Sequence, residues 1–103
     1  MQAQSVNISK DGKSLILEWQ SGNQDIIDAR RLWCDCPSAH AHRRRIEHPD
    51  IEPDANLRIA SVAPIGLYAI NIRFSDGHDR GIYPWSFLRK LANPATMADF
   101  LIN

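Results

Sequence analysis

Two cysteines and three of the four histidines are the residues of this chain best suited to hold a metal ion. Cys34 and Cys36 are separated by one residue, so on an extended segment both thiols would point to the same side. His78 lies far downstream in a polar turn, and His40 or His42 follows the cysteines closely. Two thiolates and two neutral imidazoles would balance the charge of Zn²⁺ and supply the four ligands of a structural zinc site. The residues therefore indicate a candidate zinc or iron site.

The same residues also have a simpler interpretation, which the sequence favours. A free cysteine is among the most frequently buried residue types and packs as a small apolar side chain. A bare Cys-x-Cys is much less specific than a four-ligand pattern. His78 would then hydrogen-bond its own turn, and His40 would be a solvated residue beside the run Arg43–Arg45. Packed cysteines and metal ligands both remain open at this point.

Patterns of alternating apolar residues predict the strands that would position these groups. The predicted strands cover residues 5–9, 15–19, 57–62 and 68–74, with a short return segment at 81–83. Asp11-Gly12-Lys13 between the first two is typical of a hairpin turn. Residues 33–36 are expected to be extended up to Pro37, and residues 40–56 are expected to form a long polar loop.

Helices are predicted at three places. Residues 25–32 have the spacing of one or two helical turns, and Pro84 is expected to open a helix that carries Trp85 and Leu88 on one face. A short helix is expected after Pro94. Together, these strands and helices predict a single domain over residues 1–103 that belongs to the α+β class. It should have two layers, a mostly antiparallel sheet with short helices on one side.

Composition limits the function classes. Lysine plus arginine and aspartate plus glutamate both number 12, so the net charge is zero, which argues against a nucleic-acid partner. Near-zero charge also offers little repulsion against a homodimer. No apolar run approaches the roughly 20 residues of a membrane span, and the N-terminus lacks a signal-peptide pattern. We therefore expect a cytoplasmic protein with reduced thiols and no membrane partner.

Two stretches resemble a known family. The residues Asp76-Gly77-His78, Ile82-Tyr83, Trp85 and Leu88 resemble the N-terminal domain of gamma-butyrobetaine hydroxylase, which also occurs alone as the DUF971 family. The segment from Ala29 to Ala39 is similar to the family's second motif, a Leu-Arg pair followed by either a Cys-Pro-Cys metal motif or a metal-free Ser-Pro-Ser-Ala version. The resemblance covers almost the whole chain.

Metal-binding relatives carry Cys-x-Cys-x-x-Cys and the histidine of the Asp-x-His turn. Aligning on Pro37-Ser38-Ala39 keeps Cys36 and His78 but replaces the other two thiols by Ser38 and Ala41. A shift of two residues keeps Cys34 and Cys36 and places Ala39 at the third position, one residue before His40. The resemblance thus implies a degenerate site in which Cys36 and His78 are the best-matched ligands.

The resemblance implies a small non-catalytic accessory domain that docks on a protein partner. The catalytic domain of the hydroxylases is absent from these 103 residues, so we lean against an enzyme. Family links to iron–sulfur scaffold ATPases imply metal or cluster handling. Alternatives are a zinc or iron protein using Cys36 and His78, and an accessory component of a 2-oxoglutarate/iron-type oxidoreductase. The candidate partner contacts are Trp33, Tyr83, Arg43, Arg44 and Arg45.

Overall fold

The structure, a computed structural model, describes residues 2–92 and shows two successive units, each made of three antiparallel strands followed by helical segments. The elements of the first unit are β1 (Ala3–Ile8), β2 (Ser14–Trp19), β3 (Gln24–Asp28), α1 (Ala29–Cys34) and α2 (Ala39–Glu47). Those of the second unit are β4 (Ile59–Ile65), β5 (Ala69–Phe74), β6 (Gly81–Pro84) and α3 (Trp85–Ala92).

The α+β class is confirmed, but the strands form two three-stranded sheets, ordered β1-β2-β3 and β4-β5-β6, where a single sheet was predicted. Each sheet is an antiparallel meander, so neighbours in sequence are neighbours in space. The first hairpin has the predicted turn, with Gly12 at φ 75° and the carboxylate of Asp11 accepting from Ser9 Oγ and Lys13 N.

One apolar core is shared by both sheets and the helices. Its fully buried large side chains come from both units; they are Leu15, Leu17, Leu32, Ile72, Phe74, Tyr83 and Leu88. Alternation along β2 places Leu15 and Leu17 on the inner face of the first sheet, and alternation along β5 places Ile72 and Phe74 on the inner face of the second. None of the helices within residues 2–92 has the length and apolar character needed to cross a membrane.

The prediction of a helix over residues 25–32 was wrong in its first half. β3 occupies Gln24–Asp28 and pairs with β2, placing Leu15 opposite Ile27. Ile27 is buried while Ile26 is exposed, which is the alternation of a strand. Tertiary pairing therefore overrides the weak helical spacing, and α1 begins only at Ala29.

Residues 33 and 34 were predicted to be extended, yet they form the end of α1 because Leu32 and Trp33 both face the core. The predicted loop over residues 40–56 was also wrong in its first part, since α2 spans Ala39–Glu47. Ser38 caps α2 by accepting a hydrogen bond from Ala41 N at 3.1 Å, and Ala41 is buried.

The last predicted elements have different outcomes. Pro84 is the final residue of β6, and α3 begins one residue later at Trp85, with Trp85, Leu88 and Leu91 buried on one face as predicted. The helix predicted after Pro94 lies outside the described residues.

The side chain of Asp25 connects β3 to β2 and α3. Its Oδ2 accepts a hydrogen bond of 2.7 Å from Trp19 Nε1 and forms an ion pair with Arg89 of α3. Trp19 in turn packs edge-to-face on Trp85, with ring centroids 6.3 Å apart. A carboxylate, a cation and two indoles therefore join the two units at this end of the core.

We expect Asp25→Ala to lower the free energy of unfolding by roughly 1–3 kcal/mol, because it leaves Arg89 and the indole N–H of the buried Trp19 without this acceptor. Chemical denaturation followed by tryptophan fluorescence measures the change. Asp50→Ala removes the same charge from an exposed position and should change stability by less than about 0.5 kcal/mol. Equal effects of the two substitutions would contradict this role of Asp25.

Candidate functional site

The C-terminal end of α1 is closed by side chains from distant elements. The hydroxyl of Tyr83 in β6 donates to Leu32 O at 2.7 Å, and Arg44 in α2 donates to Trp33 O, also at 2.7 Å. Arg45 donates to Cys34 O at 3.0 Å and to Cys36 O at 2.9 Å. The last carbonyl groups of a helix have no hydrogen-bond partners within the helix. These side chains therefore supply the donors that the carbonyl groups at the end of the short α1 lack.

Trp33 is fixed from two sides. Arg44 lies over the indole with its Cζ 3.6 Å from the ring centroid, a cation–π contact. The indole nitrogen donates to Asp76 Oδ2 at 2.9 Å, which links α1 to the turn after β5. This hydrogen bond brings the predicted motif around residue 33 into contact with the predicted Asp76-Gly77-His78 turn.

The turn itself orients His78. Gly77 has φ 91°, a conformation that favours glycine, and Asp76 Oδ1 accepts from His78 N at 2.9 Å. Phe74 N donates to His78 O, and the two rings stack with centroids 5.9 Å apart. The imidazole is therefore aimed back at the segment that follows α1, as the sequence predicted.

At the centre of the site, Nε2 of His78 lies 3.3 Å from the sulfur of Cys36. The Cys36 thiol also donates to Ser38 Oγ at 3.4 Å. Cys36 is 0% exposed, and a Cβ at Gly81 would lie only 2.6 Å from its sulfur. The thiol is thus enclosed by a hydroxyl, an imidazole and a glycine of the neighbouring strand.

Burial controls the protonation of this cluster. The pKa of His78 is lowered from its ordinary 6.5, first by desolvation of the charged ring and next by the nearby cation of Arg44, against the opposing effect of Asp76. The pKa of the Tyr83 hydroxyl is raised, mainly by burial and further by the adjacent side chain of Cys36. Both groups are therefore held in their neutral forms near neutral pH.

The structure brings together part of the predicted metal set. Zinc ligands of one tetrahedral ion lie roughly 3.5 Å apart for a sulfur–nitrogen pair, so Cys36 and His78 have a suitable separation. The His40 ring lies with its centroid 5.6 Å from that of His78. Cys34, the remaining predicted ligand, is the last residue of α1. Within residues 2–92, no group of three or more histidine, cysteine, aspartate or glutamate side chains is positioned to share an ion.

The predicted partner contacts are placed mostly inside the fold. Trp33 is buried and Tyr83 is 0% exposed, so neither side chain offers an appreciable surface to a partner. Arg44 and Arg45 are half-buried and hydrogen-bonded to the end of α1. Arg43 is the one arginine of this run whose side chain is exposed.

The sequence analysis missed an exposed apolar surface on the second sheet. We call it the turn surface and define it by Leu67, Tyr68, Ile82 and Pro84. Leu67 is 78% exposed and Tyr68 is 60% exposed, and both border a depression of about 370 Å³ together with Pro84. Ile82 lies two residues before Pro84 on the same outward face of β6. The missed signal was the apolar pair Leu67-Tyr68 directly after the turn glycine, Gly66.

The turn surface is fixed from below by a buried tryptophan. Trp85 N donates to Tyr68 O at 3.2 Å, and Trp85 Nε1 donates to Leu67 O at 3.0 Å. Gly66 has φ 54°, which sets the direction of the turn. Two exposed apolar side chains are thereby presented on a backbone that the core residue Trp85 holds in place.

Known proteins similar to this chain share its fold. The model of the family described as gamma-butyrobetaine hydroxylase-like, N-terminal, matches residues 6–89. A crystal structure of a protein with unknown function from Acidithiobacillus ferrooxidans, belonging to the DUF971 family, matches with a TM-score of 0.71 and 26% identity. That match covers 88% of this chain and 92% of the other.

Two NMR solution structures are similar as well. One has a TM-score of 0.69 at 25% identity and covers 98% of this chain and 76% of that chain. The other has a TM-score of 0.66 at 27% identity and covers 98% and 82%. No curated protein matches this chain. The matches support the fold and the family, and they leave the activity to be argued from the site.

We expect Gly81→Ala to destabilise the protein by roughly 1–3 kcal/mol, because the new methyl group would meet Cys36 Sγ and Tyr83 Cε1, each at 2.6 Å. Thermal denaturation measures the loss. In a double-mutant cycle, Cys36→Ala should recover part of it by removing the sulfur. Purely additive effects of the two substitutions would contradict direct packing of Gly81 on Cys36.

The lowered pKa of His78 predicts a pH dependence of stability. The unfolded chain binds a proton at this ring near pH 6.5, whereas the folded chain binds it only at lower pH. The contribution of the neutral His78 ring to the free energy of unfolding is therefore complete above about pH 6.5, and it is lost as the pH falls toward the lowered pKa. With a chelator present to remove bound metal, the melting temperature should therefore fall less on acidification in His78→Gln than in the wild type. His42→Gln, at an exposed site, should behave as the wild type; if it instead matched His78→Gln, the assignment would be wrong.

Proposed function

Because this chain belongs to the gamma-butyrobetaine hydroxylase-like N-terminal family, we propose that it is a small non-catalytic accessory domain that binds a partner protein. The observation that carries the proposal is the turn surface, where neighbouring apolar side chains are exposed around one turn of the second sheet. Contiguous exposed apolar surface on a small protein is typical of an interaction site. The proposal moves the contact region away from Trp33 and Tyr83, which the core buries.

The construction of the turn surface supports a binding role. Large side chains on a preorganised backbone lose little conformational entropy on association, which raises the affinity that each contact can supply. Tyrosine is also enriched among residues that dominate binding energy, because its ring is apolar and its hydroxyl can hydrogen-bond. Tyr68 has both features, and Trp85 fixes its backbone.

The central Cys36–His78 pair supports a structural role in this proposal. A nucleophilic thiol must reach its substrate, whereas the Cys36 sulfur is enclosed by Ser38, His78 and Gly81. Its contacts join the segment after α1 to β6 and to the Asp76–His78 turn. We propose two partner classes, the catalytic chain of a hydroxylase-type oxidoreductase and a second copy of this chain. The proposal includes a cytoplasmic location, which the free thiols of Cys34 and Cys36 support.

Metal binding is a second candidate function, favoured by the 3.3 Å separation of Cys36 Sγ and His78 Nε2. These two donors would hold Zn²⁺ or Fe²⁺, and His40 is the nearest further imidazole. The ion would link the two units of the domain and so stabilise the folded state. A set of two or three protein ligands should bind more weakly than a four-ligand structural site.

The interaction proposal predicts that Leu67→Asp abolishes partner capture while the protein stays folded. The exposed position should change stability by less than about 0.5 kcal/mol, but a charge at the centre of an apolar contact should weaken binding at least tenfold, roughly 1.4 kcal/mol or more. Affinity capture with quantitative mass spectrometry would compare the variant with the wild type, and sedimentation would report self-association.

Ile46→Asp is the matched control, since Ile46 is 68% exposed on α2, away from the turn surface. It should retain the captured protein or the dimer. The proposal fails if Leu67→Asp and Ile46→Asp retain the same partners or lose them equally.

The metal candidate predicts that Zn²⁺ added to chelator-treated protein raises the melting temperature with one ion per chain. Removing either donor, in Cys36→Ala or His78→Ala, should eliminate the rise, because each supplies a ligand of the ion. His42→Ala should retain it. Native mass spectrometry measures the stoichiometry, and metal-free protein with no Zn²⁺-dependent shift would exclude this candidate.

A further inference from the structure

Strand β4 forms an edge of the second sheet, and most of its length is exposed. The order β4-β5-β6 leaves β4 with β5 as its one strand partner in the described part of the chain. Its first residue is covered, because Ile59 N donates to Gly12 O of the first hairpin at 2.7 Å. After the bulge that follows Ile59, the stretch Ser61–Ile65 has no hydrogen bonds within residues 2–92 other than those to β5. Such an edge offers unpaired N–H and C=O groups to another strand.

The direction of the β4 backbone follows from contacts on the opposite side of the sheet. Trp85 N donates to Tyr68 O at 3.2 Å, so Tyr68 turns its backbone groups toward β6. Because this direction alternates along a strand, Asn71 turns its own groups toward β4, where it is paired with Ala63. Val62, the neighbour of Ala63, therefore points its N–H and C=O away from the sheet.

The position of Pro64 agrees with this direction. Proline has no backbone N–H and occurs in sheets where that position faces away from the neighbouring strand. Within Ser61–Ile65, Pro64 therefore offers only an acceptor outward, and Val62 offers both a donor and an acceptor. In an antiparallel ladder, two residues directly opposite each other can exchange both hydrogen bonds. The Val62 residues of two copies can thus satisfy each other across a two-fold axis.

The side chains around Val62 suit an identical partner. A two-fold axis places the same part of both copies together, so a charge near the axis would meet a like charge. Natural edge strands commonly carry such a charge, which prevents this pairing. The stretch Ile59–Ile72 contains no Asp, Glu, Lys, Arg or His, and the net charge of the chain is zero. A second copy therefore fits this edge without electrostatic repulsion.

We propose that β4 is a dimerisation edge, at which two copies of this chain pair antiparallel about a two-fold axis at Val62. The two second sheets then form one continuous sheet in the order β6-β5-β4-β4-β5-β6. The bulge and Pro64 limit the contact to a few residues, so the dimer depends on protein concentration. This contact goes beyond the proposed function, because it uses the backbone of β4 and leaves the turn surface free for the other partner class.

Sedimentation velocity over a range of protein concentrations tests the proposal, with chelator present to remove bound metal. The wild type should show a monomer–dimer equilibrium. Val62→Pro should weaken dimerisation at least about tenfold, because it removes the outward N–H and leaves the bonds to β5 intact. Val62→Thr keeps the N–H and the branched shape, and it should dimerise as the wild type does. Thermal denaturation establishes that each variant is folded.

A second pair of variants tests the same contact without proline. Ala63→Lys places two like charges close to the axis from an exposed position and should weaken dimerisation about tenfold. Ile26→Lys adds the same charge to the first sheet, where Ile26 is 59% exposed, and should leave dimerisation unchanged. In the wild type, NMR should show slower exchange of the Val62 amide at higher protein concentration, because the dimer gives this N–H a protein acceptor.

The proposal is overturned if the wild type stays monomeric at every concentration, if folded Val62→Pro dimerises as the wild type does, or if the two lysine variants behave alike. Leu67→Asp should remain a dimer, so failure of the β4 contact and failure of the turn surface are separate results. A dimer that is lost in Leu67→Asp and kept in Val62→Pro would move the contact to the turn surface and would also overturn the proposal.

Discussion

The carbonyl groups at the end of α1 impose the constraint on which the rest of this structure depends. A helix of six residues is too short to be stable alone, and its last carbonyls need partners inside a buried region. Tyr83 of β6 and Arg44 and Arg45 of α2 supply them. Because these partners come from both units, satisfying one helix end also fixes the position of the second sheet relative to the first.

The other contacts of the site follow from that junction. Once Arg44 reaches α1 it covers Trp33, whose indole then meets Asp76 at the turn that orients His78. His78 reaches the sulfur of Cys36, which packs closely against Gly81. The residues most suggestive of chemistry thus hold the two units together, whereas the apolar side chains of the turn surface are left free to engage other molecules.

The sequence could predict this structure where the determining signal is local. The first hairpin turn and the strand leading into Phe74 follow from short patterns, whereas the pairing of His78 with Cys36, 42 positions apart, was expected from the family resemblance. The long-range pairings could not be predicted, because Tyr83 and Leu32 are 51 positions apart and no pattern in either segment encodes the contact. For the same reason Arg44 resembled a solvated residue available to a partner, although its acceptor is a carbonyl of the same chain.

Native-state hydrogen exchange on Tyr83→Phe tests most directly whether this junction holds the domain together. The substitution removes one oxygen and leaves Leu32 O without its donor, at a cost of roughly 1–3 kcal/mol. If the junction makes the two units one cooperative structure, the slowest-exchanging amides of β2 and β5 should lose protection by the same free energy. Loss of protection in β5 with wild-type protection in β2 would show that the two sheets unfold independently, and would contradict the account.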